Sequence, residues 1–568
     1  MSNSDQFDKY ALWRKNWPPG LPTRTRFPFG KIPVADCLKK QVEQTPDRVA
    51  MNFYGKEVTF KEWDEQADRV ATALADMGYN KGDGLLLYMH NSPQTCIAYI
   101  AAARLGLIIF TVDSGFKEYE LEYEVNDSGA RLIFVFDQNY RYVAPLRGRA
   151  GIKDVVVTSF HDYMPANPTL PLHPIMEPPK QTFPDTFEFL DLLEKYPPNP
   201  PRVDIEMDEE EVVPYTGGTT GLPKGTVHTH ENTLRGGAFG YQIWAVGHDL
   251  RPCDSALIFG PLTHIGALSW GIWASCVHGR TMYILARYDT DTVMKAIEKY
   301  RVEYIPGTVT VCKAILEHPD FKQYDLSSVK LWMPGEWMIW VTAEFSKTFE
   351  EALGVPVVKI GYGMSEVCNV GPAGCRVGYE IPFKDKFLMG TVPPDEGVDI
   401  KIVDFDTREE LPPGEKGEIA IKTPSRCKYY WNKPEETARD FTADGWFYSG
   451  DIGMLDEEGY IYWYGRKKYL ISVSGFKISP GEVEMIGRNC PDIANIAVSG
   501  MPHPSKGEIP KAFVQLVPGS TKTAADIETW FRENIASYKV PTVEIWRELP
   551  LTAKGSVDMK QLVAEKDA

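Results

Sequence analysis

Among the 568 residues there is no C-x-x-C pair, no apolar run of membrane-spanning length, no basic excess and no internal repeat. Each absence removes a class of function. The nine cysteines are scattered from Cys37 to Cys490, whereas a zinc site needs closely spaced ligands and a secreted disulfide scaffold is small and cysteine-dense. Free thiols in a reducing compartment fit this pattern, so a cytoplasmic location is expected. Met1 to Lys15 are polar and carry no hydrophobic signal core. The most apolar stretch, Cys96 to Val112, is interrupted by Arg104 and Gly106. It predicts a buried helix followed by a strand, not an integral membrane segment of about 20 apolar residues. The net charge of −17 argues against a nucleic acid as partner and against adsorption to anionic membranes. The P-loop pattern G-x-x-x-x-G-K-[ST] is also missing: neither Gly30-Lys31 nor Gly55-Lys56 is followed by Ser or Thr.

What is present is a long chain of ordinary globular composition, 43% hydrophobic and 24% charged, enough for about two to four domains. From residue 33 to about 158 helix and strand patterns alternate. A helix carrying Val34, Leu38 and Val42 precedes a strand Val49 to Phe53. A further strand at Val58 is followed by an amphipathic helix from Lys61 to Met77 with Trp63, Ala67, Val70 and Leu74 on one face. The strand Leu85 to Met89 comes next, and the alternation predicts layered parallel sheets of the α/β class. Residues 161 to 201 are proline-rich, a surface excursion with one short helix from Phe187 to Glu194. Asp208 to Glu211 form an acidic run expected to be a solvated face. After Gly390 the segments shorten into a β-rich subdomain (Val398 to Val403, Gly417 to Lys422, Tyr460 to Tyr464). A boundary falls near residues 465 to 468. It divides a large N-terminal region, 1–466, from a small α+β domain, 467–568, with strands at Ile496 to Ser499 and Lys511 to Leu516 and a helix from Ala524 to Ala536.

The chemistry concentrates in Tyr215 to Gly225, Y-T-G-G-T-T-G-L-P-K-G. Four glycines allow close backbone approach to a ligand. Three threonine hydroxyls and Lys224 add donors and a mobile cation, the lining that polyphosphate oxygens require. Because Glu211 to Tyr215 reads as a strand end, the loop leaves a sheet where open α/β sheets bind ligands. Ile360 to Glu366 then follows a predicted strand Val355 to Val358 and supplies an aromatic face, a hydroxyl and a carboxylate.

These residues resemble the adenylate-forming superfamily of acyl-CoA synthetases, luciferases and peptide-synthetase adenylation domains. Val58 to Trp63, with Asp64 and Ala67, resembles its first common segment, and Thr216, Gly217, Gly218, Thr219, Thr220, Gly221 and Lys224 its phosphate-binding signature. Gly361, Tyr362, Gly363, Met364, Ser365 and Glu366 resemble its Y-G-x-T-E element, with Ser365 for the usual Thr. Gly335, Glu336 and Trp337 resemble the element lining the adenine pocket. Asp451, in Gly445 to Gly453, is matched to the ribose-binding carboxylate and Arg466 to the ribose-contacting arginine. Lys468 falls on the hinge position. Gly417 to Lys422 is another match. Gly260 to Gly266 resembles the P-L-x-H element, which places His264 near the substrate carboxylate. Ser474 to Ile478, followed by Glu482 and Glu484, resembles the pantetheine tunnel and assigns Gly475 and Lys477 to it. One departure stands out. Where the family ends on a catalytic lysine, this chain has Ser556, with Lys554 two residues earlier and so on the same side of a strand.

The resemblance implies an AMP-forming acid:CoA ligase. A small-molecule carboxylic acid attacks ATP to give an acyl-adenylate, and after rotation about Lys468 the thiol of coenzyme A displaces AMP. It implies Glu366 and Thr216 as Mg²⁺ ligands, and Lys554 as substitute for the missing lysine. The alternatives are an adenylation enzyme that loads a carrier protein, a luciferase-like oxygenase, or a relative impaired by Ser556. No carrier segment follows residue 560, which favours the free coenzyme. Trp270, Trp273, Trp337 and Trp340 lie beside elements bordering the family's acyl pocket, and bulky walls there favour a compact ring or a short-to-medium acid over a long chain. A monomer and a homodimer fit the sequence equally.

Overall fold

The computed structural model describes residues 8–216, 223–246, 251–334, 341–355, 357, 362–368, 381, 384, 387–467, 471–473, 476–478, 480–503, 507–535, 539–551 and 557–564. Its contacts divide the chain into two compact units, one of residues 1–336, 341–399 and 422–447, the other of 337–340, 400–421 and 448–568. Residues 400–421 and 448–466, expected with the large region, thus group with the C-terminal hundred. Among the described residues no helix is long and apolar enough to cross a membrane.

The first unit holds two mainly parallel sheets. In one, the strands run in the order Leu331–Pro334, Tyr304–Gly307, Ser255–Ile258, Thr281–Ile284, Val49–Phe53 and Lys56–Thr59, the last being antiparallel. In the other the order is Phe187–Glu188, Asp154–Thr158, Leu132–Phe136, Gly84–Tyr88, Ile108–Thr111, Glu210–Pro214 and His228–Thr229, again closed by an antiparallel member. Every residue of Leu132–Phe136 is buried, as expected of a parallel strand covered on both faces.

Local chemistry sets the helix ends. Thr59 and Glu62 form a reciprocal capping box at the start of helix Phe60–Asp76, whose buried Trp63, Ala67, Val70 and Leu74 recur at threes and fours. Helix Pro93–Arg104 is buried all round, and its Arg104 is neutralised by Asp64 and by Asp68, 2.6 Å away. A cation inside the most apolar stretch of the chain is therefore paired, as a buried charge must be. Strand Ile108–Thr111 follows it. The helix expected at Phe187 begins two residues later, as Phe189–Lys195, because Phe187–Glu188 pairs with Val156 and Val157 at the sheet edge.

The acidic run is not a solvated face throughout. Glu211 is fully buried. Strand Glu210–Pro214 turns alternate side chains to opposite faces, and the face carrying Glu211 lies under helices. Tyr99 donates to its Oε1 at 2.8 Å, Thr233 donates to Oε2, and His230 Nδ1 stands 3.0 Å from Oε2. Trp273 Nε1 donates in turn to the Tyr99 hydroxyl at 2.8 Å. Burial pushes the Glu211 carboxyl up, but His230 and then the two hydroxyls outweigh it and hold the group below its ordinary value.

In the second unit, strands Asp399–Val403, Lys416–Lys422, Phe447–Leu455 and Ile461–Arg466 lie side by side in that order. Glycine is required at 453, where a Cβ would sit 2.8 Å from the Tyr462 carbonyl and closer still to Ile419. A second sheet runs Phe476–Ile478, Ile471–Val473, Gly507–Leu516, Ile493–His503, with Thr542–Trp546 parallel to Gly507–Leu516. Helix Ala524–Asn534, two residues shorter than expected, packs Ile527 and Phe531 on Ile496, Val498 and Val514. Glu484 is buried beneath this sheet and accepts Val498 N–H at 2.8 Å.

Two stability tests follow from these carboxylates. Glu211→Ala leaves Tyr99, Thr233 and His230 without their partner and is expected to cost about 3 kcal/mol or more, read from urea unfolding. Burial pushes Glu484 up to about 7, against the Val498 N–H and Arg488, which favour the charged form. The folded value lies above the unfolded carboxylate value of about 4.3. Its contribution is therefore complete below that value and is lost as pH rises through about 7. Unfolding midpoints of the C-terminal unit should fall across that window, by up to about 1.4 kcal/mol per pH unit, and Glu484→Gln should flatten the slope.

Candidate active site

The loop at 215–225 springs from a closed neck. Thr216 N–H donates to the Lys224 carbonyl at 2.9 Å, Lys224 N–H donates to Thr216 Oγ1 at 3.2 Å, and Thr226 N–H donates to the Pro214 carbonyl at 2.9 Å. Tyr215 donates to Asp127 Oδ2 at 2.9 Å and Tyr123 donates to the Pro223 carbonyl at 2.8 Å, anchoring both arms. The tip, with Gly217, Gly218, Thr219, Thr220 and Gly221, lies outside the described residues.

A second strip of chain grips the neck. Lys428 N–H donates to the Val227 carbonyl at 2.8 Å, Val227 N–H to the Tyr429 carbonyl at 3.0 Å, and Trp431 N–H to the Gly225 carbonyl at 2.8 Å. Glycine at 225 permits this approach: a Cβ there would lie 2.6 Å from Val213 and 3.2 Å from Trp431. The ribbon sets Tyr430 beside Lys224, whose Nζ lies 3.8 Å from the ring centroid and 3.5 Å from Asp440 Oδ2. The Tyr430 hydroxyl donates to Glu366 Oε1 at 3.0 Å. Thr216, Lys224 and Glu366 are thereby joined in one network through Tyr430. The sequence reading singled out neither Tyr430 nor Asp440. Their signal was available only as an aromatic next to the loop-pairing strip Lys428 to Trp431, which carries no glycine-rich or charged signature.

Glu366 rides on a short turn, Ser365–Val367, that is tied down on every side. Met364 occupies its N-cap position without a side-chain capping bond. Cys427 N–H donates to the Glu366 carbonyl at 2.7 Å. His228 is fully buried, and that burial, partly offset by the Ser365 carbonyl, pushes it down to about 4. The ring is therefore neutral. Its Nε2–H donates to the Ser365 carbonyl at 2.8 Å, which leaves Nδ1 to accept from the Cys368 thiol at 3.1 Å. Cys368 takes a left-handed φ of +55°, costly for a residue other than glycine, and Ser269 Oγ holds its carbonyl at 3.3 Å. Tyr362 and Met364 are buried and Gly363 half-buried. Gly361 lies outside the described residues, as do Gly335, Glu336, Trp337 and Trp340; of the strand expected at Val355 to Val358, only Val357 is seen to pair, with Trp332.

The carboxylate of Glu366 and the hydroxyl of Thr216 are hard oxygen donors of the kind Mg²⁺ takes. Among the described residues no three His, Cys, Asp or Glu side chains gather as a metal cage. Mg²⁺ binds through one or two carboxylates together with substrate phosphates and water, and Glu366 offers one such carboxylate. His264 is exposed, not core, and its Nδ1 accepts Gly266 N–H at 3.1 Å at the start of the turn Ile265–Ala267. Trp273 is buried, and its Nε1 donates to the Tyr99 hydroxyl at 2.8 Å. Trp270 is half-buried.

In the second unit Asp451 and Arg466 face each other across an antiparallel pair, with Arg466 Nε 2.7 Å from Asp451 Oδ1. Arg466 also donates to the Ser449 carbonyl at 3.2 Å, and Ser449 Oγ accepts Asp451 N–H at 3.1 Å. Asp451 is buried while Arg466 is half-buried, a carboxylate set in place by its own strand neighbours. Lys477 lies in strand Phe476–Ile478 opposite Ser472. Gly475, Lys468, Lys554 and Ser556 lie outside the described residues.

The model for AMP-binding enzymes matches residues 38–431, and that for the AMP-binding enzyme C-terminal domain matches 482–556. A long-chain-fatty-acid–CoA ligase of Bacillus subtilis (strain 168) is 32% identical, covering 98% of each chain. The 4-coumarate–CoA ligase CCL1 of Humulus lupulus is 28% identical, covering 94% of each. Among solved structures, ATP-bound MatB from Rhodopseudomonas palustris shares the fold, with a TM-score of 0.78, 23% identity, and coverage of 94% of this chain and 98% of its own.

The bracing of the Glu366 turn has a chemical signature. Cys368 and Cys427 are buried, and burial pushes both thiols well above their ordinary range. Iodoacetamide applied to the native protein should leave both unmodified, whereas denatured protein should label fully, as read by peptide mass mapping.

Proposed function

The chain belongs to the AMP-binding enzyme family, and from that premise we propose that it joins a compact cyclic, aromatic or short-to-medium-chain acid to coenzyme A. It is an AMP-forming acyl-CoA synthetase, with ATP and coenzyme A as co-substrates and Mg²⁺ as cofactor. The observation that supports the site assignment is the network joining Thr216 and Lys224 at the loop neck to Glu366 through Tyr430.

In the first step the substrate carboxylate attacks the α-phosphate of ATP, its bond to the β-phosphate oxygen breaks, and pyrophosphate leaves. A carboxylate is already a nucleophile, so no general base is required; the protein positions the reactants and stabilises charge. The loop 216–225, with the Lys224 ammonium, holds the β- and γ-phosphates. Glu366 and Thr216 would hold Mg²⁺, which would supply charge neutralisation for the phosphates. Asp451 with Arg466 takes the ribose hydroxyls, and Gly335 to Trp337 with Tyr362 the adenine. Lys554 supplies the cation that Ser556 does not. In the second step the domain 467–568 turns about Lys468, and the coenzyme A thiol, led past Gly475 and Lys477 toward His264, attacks the acyl carbon and releases AMP.

The acid class rests on less: half-buried Trp270 beside the P-L-x-H element, and a relative named for 4-coumarate. The eight described cysteines, all free thiols, support a reducing, cytoplasmic setting.

Incubation with ATP, Mg²⁺, coenzyme A and each of acetate, hexanoate, benzoate, cyclohexanecarboxylate and palmitate should give AMP, pyrophosphate and thioester in equal amounts, fastest with the ring or medium acids. A preference for palmitate overturns the compact acid and leaves the ligase; no pyrophosphate with any acid of a broad panel overturns the ligase. Asp451→Asn should raise KM for ATP about tenfold or more, the worth of a hydrogen bond to a charged group.

A further inference from the structure

Tyr430 is not one of the residues that the family resemblance assigns, yet it touches two that are. Its backbone is fixed twice. The residue bridges Thr226 on the returning arm of the loop, and its N–H donates to Thr437 Oγ1 at 3.0 Å. The ring is buried and edge-on to Phe441, with centroids 5.1 Å apart. Phe441 stacks in turn on Phe447 at 5.0 Å. An aromatic plate held this way has one orientation, and its two functional surfaces point at different partners. The face carries the Lys224 ammonium 3.8 Å from the centroid, and the hydroxyl reaches Glu366 Oε1 at 3.0 Å.

We propose that Tyr430 is a positioning residue that sets the loop cation and the metal-binding carboxylate in register with one another. The assignment rests on the reading that Lys224 serves the phosphates and Glu366 the Mg²⁺. A lysine on a four-carbon stem is otherwise free to wander, and the ring face restrains it without using any of its three N–H donors. Asp440, itself clasped by Arg439 at 2.7 Å and 2.9 Å, takes one of those donors from the side. The rest stay available to phosphate oxygens. At the other end, a hydroxyl that donates to Oε1 occupies one lone pair and fixes the plane of the carboxylate, leaving Oε2 as the better metal ligand.

Two variants separate the roles. Tyr430→Phe keeps the plate and deletes the hydroxyl. It should raise the Mg²⁺ concentration for half-maximal pyrophosphate release about tenfold, with KM for ATP at saturating Mg²⁺ changed less than about twofold. Tyr430→Leu deletes both and should raise KM for ATP about fivefold as well; Tyr430→Met takes its place should the leucine variant not fold, with thermal melting as the check. An unchanged Mg²⁺ dependence in Tyr430→Phe, or identical profiles for Phe and the aliphatic variant, overturns the proposal. If the wild-type protein releases no pyrophosphate with any acid, the functional reading itself has failed. If it does so and the variants do not split, only the role of Tyr430 has.

Discussion

The site depends on a main-chain contact, not on any side chain. Residues 214–216 bond to 224–226, and 225–227 bond to 428–431, so that the loop leaves and re-enters the sheet through a three-ply neck. Backbone pairing of this kind fixes Lys224 and Tyr430 to within a strand register, where a one-residue slip would turn each to the opposite face. Gly225 is the condition for it, because no side chain fits between Val213 and Trp431. Such a base holds the two arms of the loop in a fixed register.

Around that neck the carboxylate that matters is fixed from four directions. Cys427 and His228 hold the main chain of the Glu366 turn, Ser269 holds its left-handed end, and Tyr430 holds the carboxylate itself. A neutral imidazole is the right group between a thiol and a carbonyl, since it accepts on one nitrogen and donates on the other. The second unit uses the same economy on Asp451, which is set by Ser449 and paired with the residue directly across the ladder, Arg466.

Much of this was legible in the sequence. The helix expected from Lys61 announced itself by period, the parallel sheets by alternation, and the loop by glycines and threonines that no ordinary turn requires. Asp451 and Arg466 were marked by motif, and the ladder explains their pairing. The failures share a cause. Glu211 looks solvated in a run of four acids, because its burial depends on Tyr99, Thr233 and Trp273, all distant in sequence. Tyr430 and Asp440 went unremarked because pairing between residues 225 and 431 is a tertiary fact with no local pattern. Periodicity reports a residue's own element; it is silent on which element comes to lie against it.

The Glu211 cluster carries a consequence for how the chain can be made. One carboxylate ties together helix 93–104, strand 210–214, helix 230–239 and the turn at 268–273. A ribosome has therefore delivered nearly half the polypeptide before this knot can close, and the strand feeding the phosphate loop has no settled underside until it does. Fragments ending short of residue 273 leave the buried Tyr99 hydroxyl without its Trp273 donor. The sheet holding Glu210–Pro214 is thus not an autonomous module that later segments decorate, and that strand is settled only after sequence well downstream of it has been laid down.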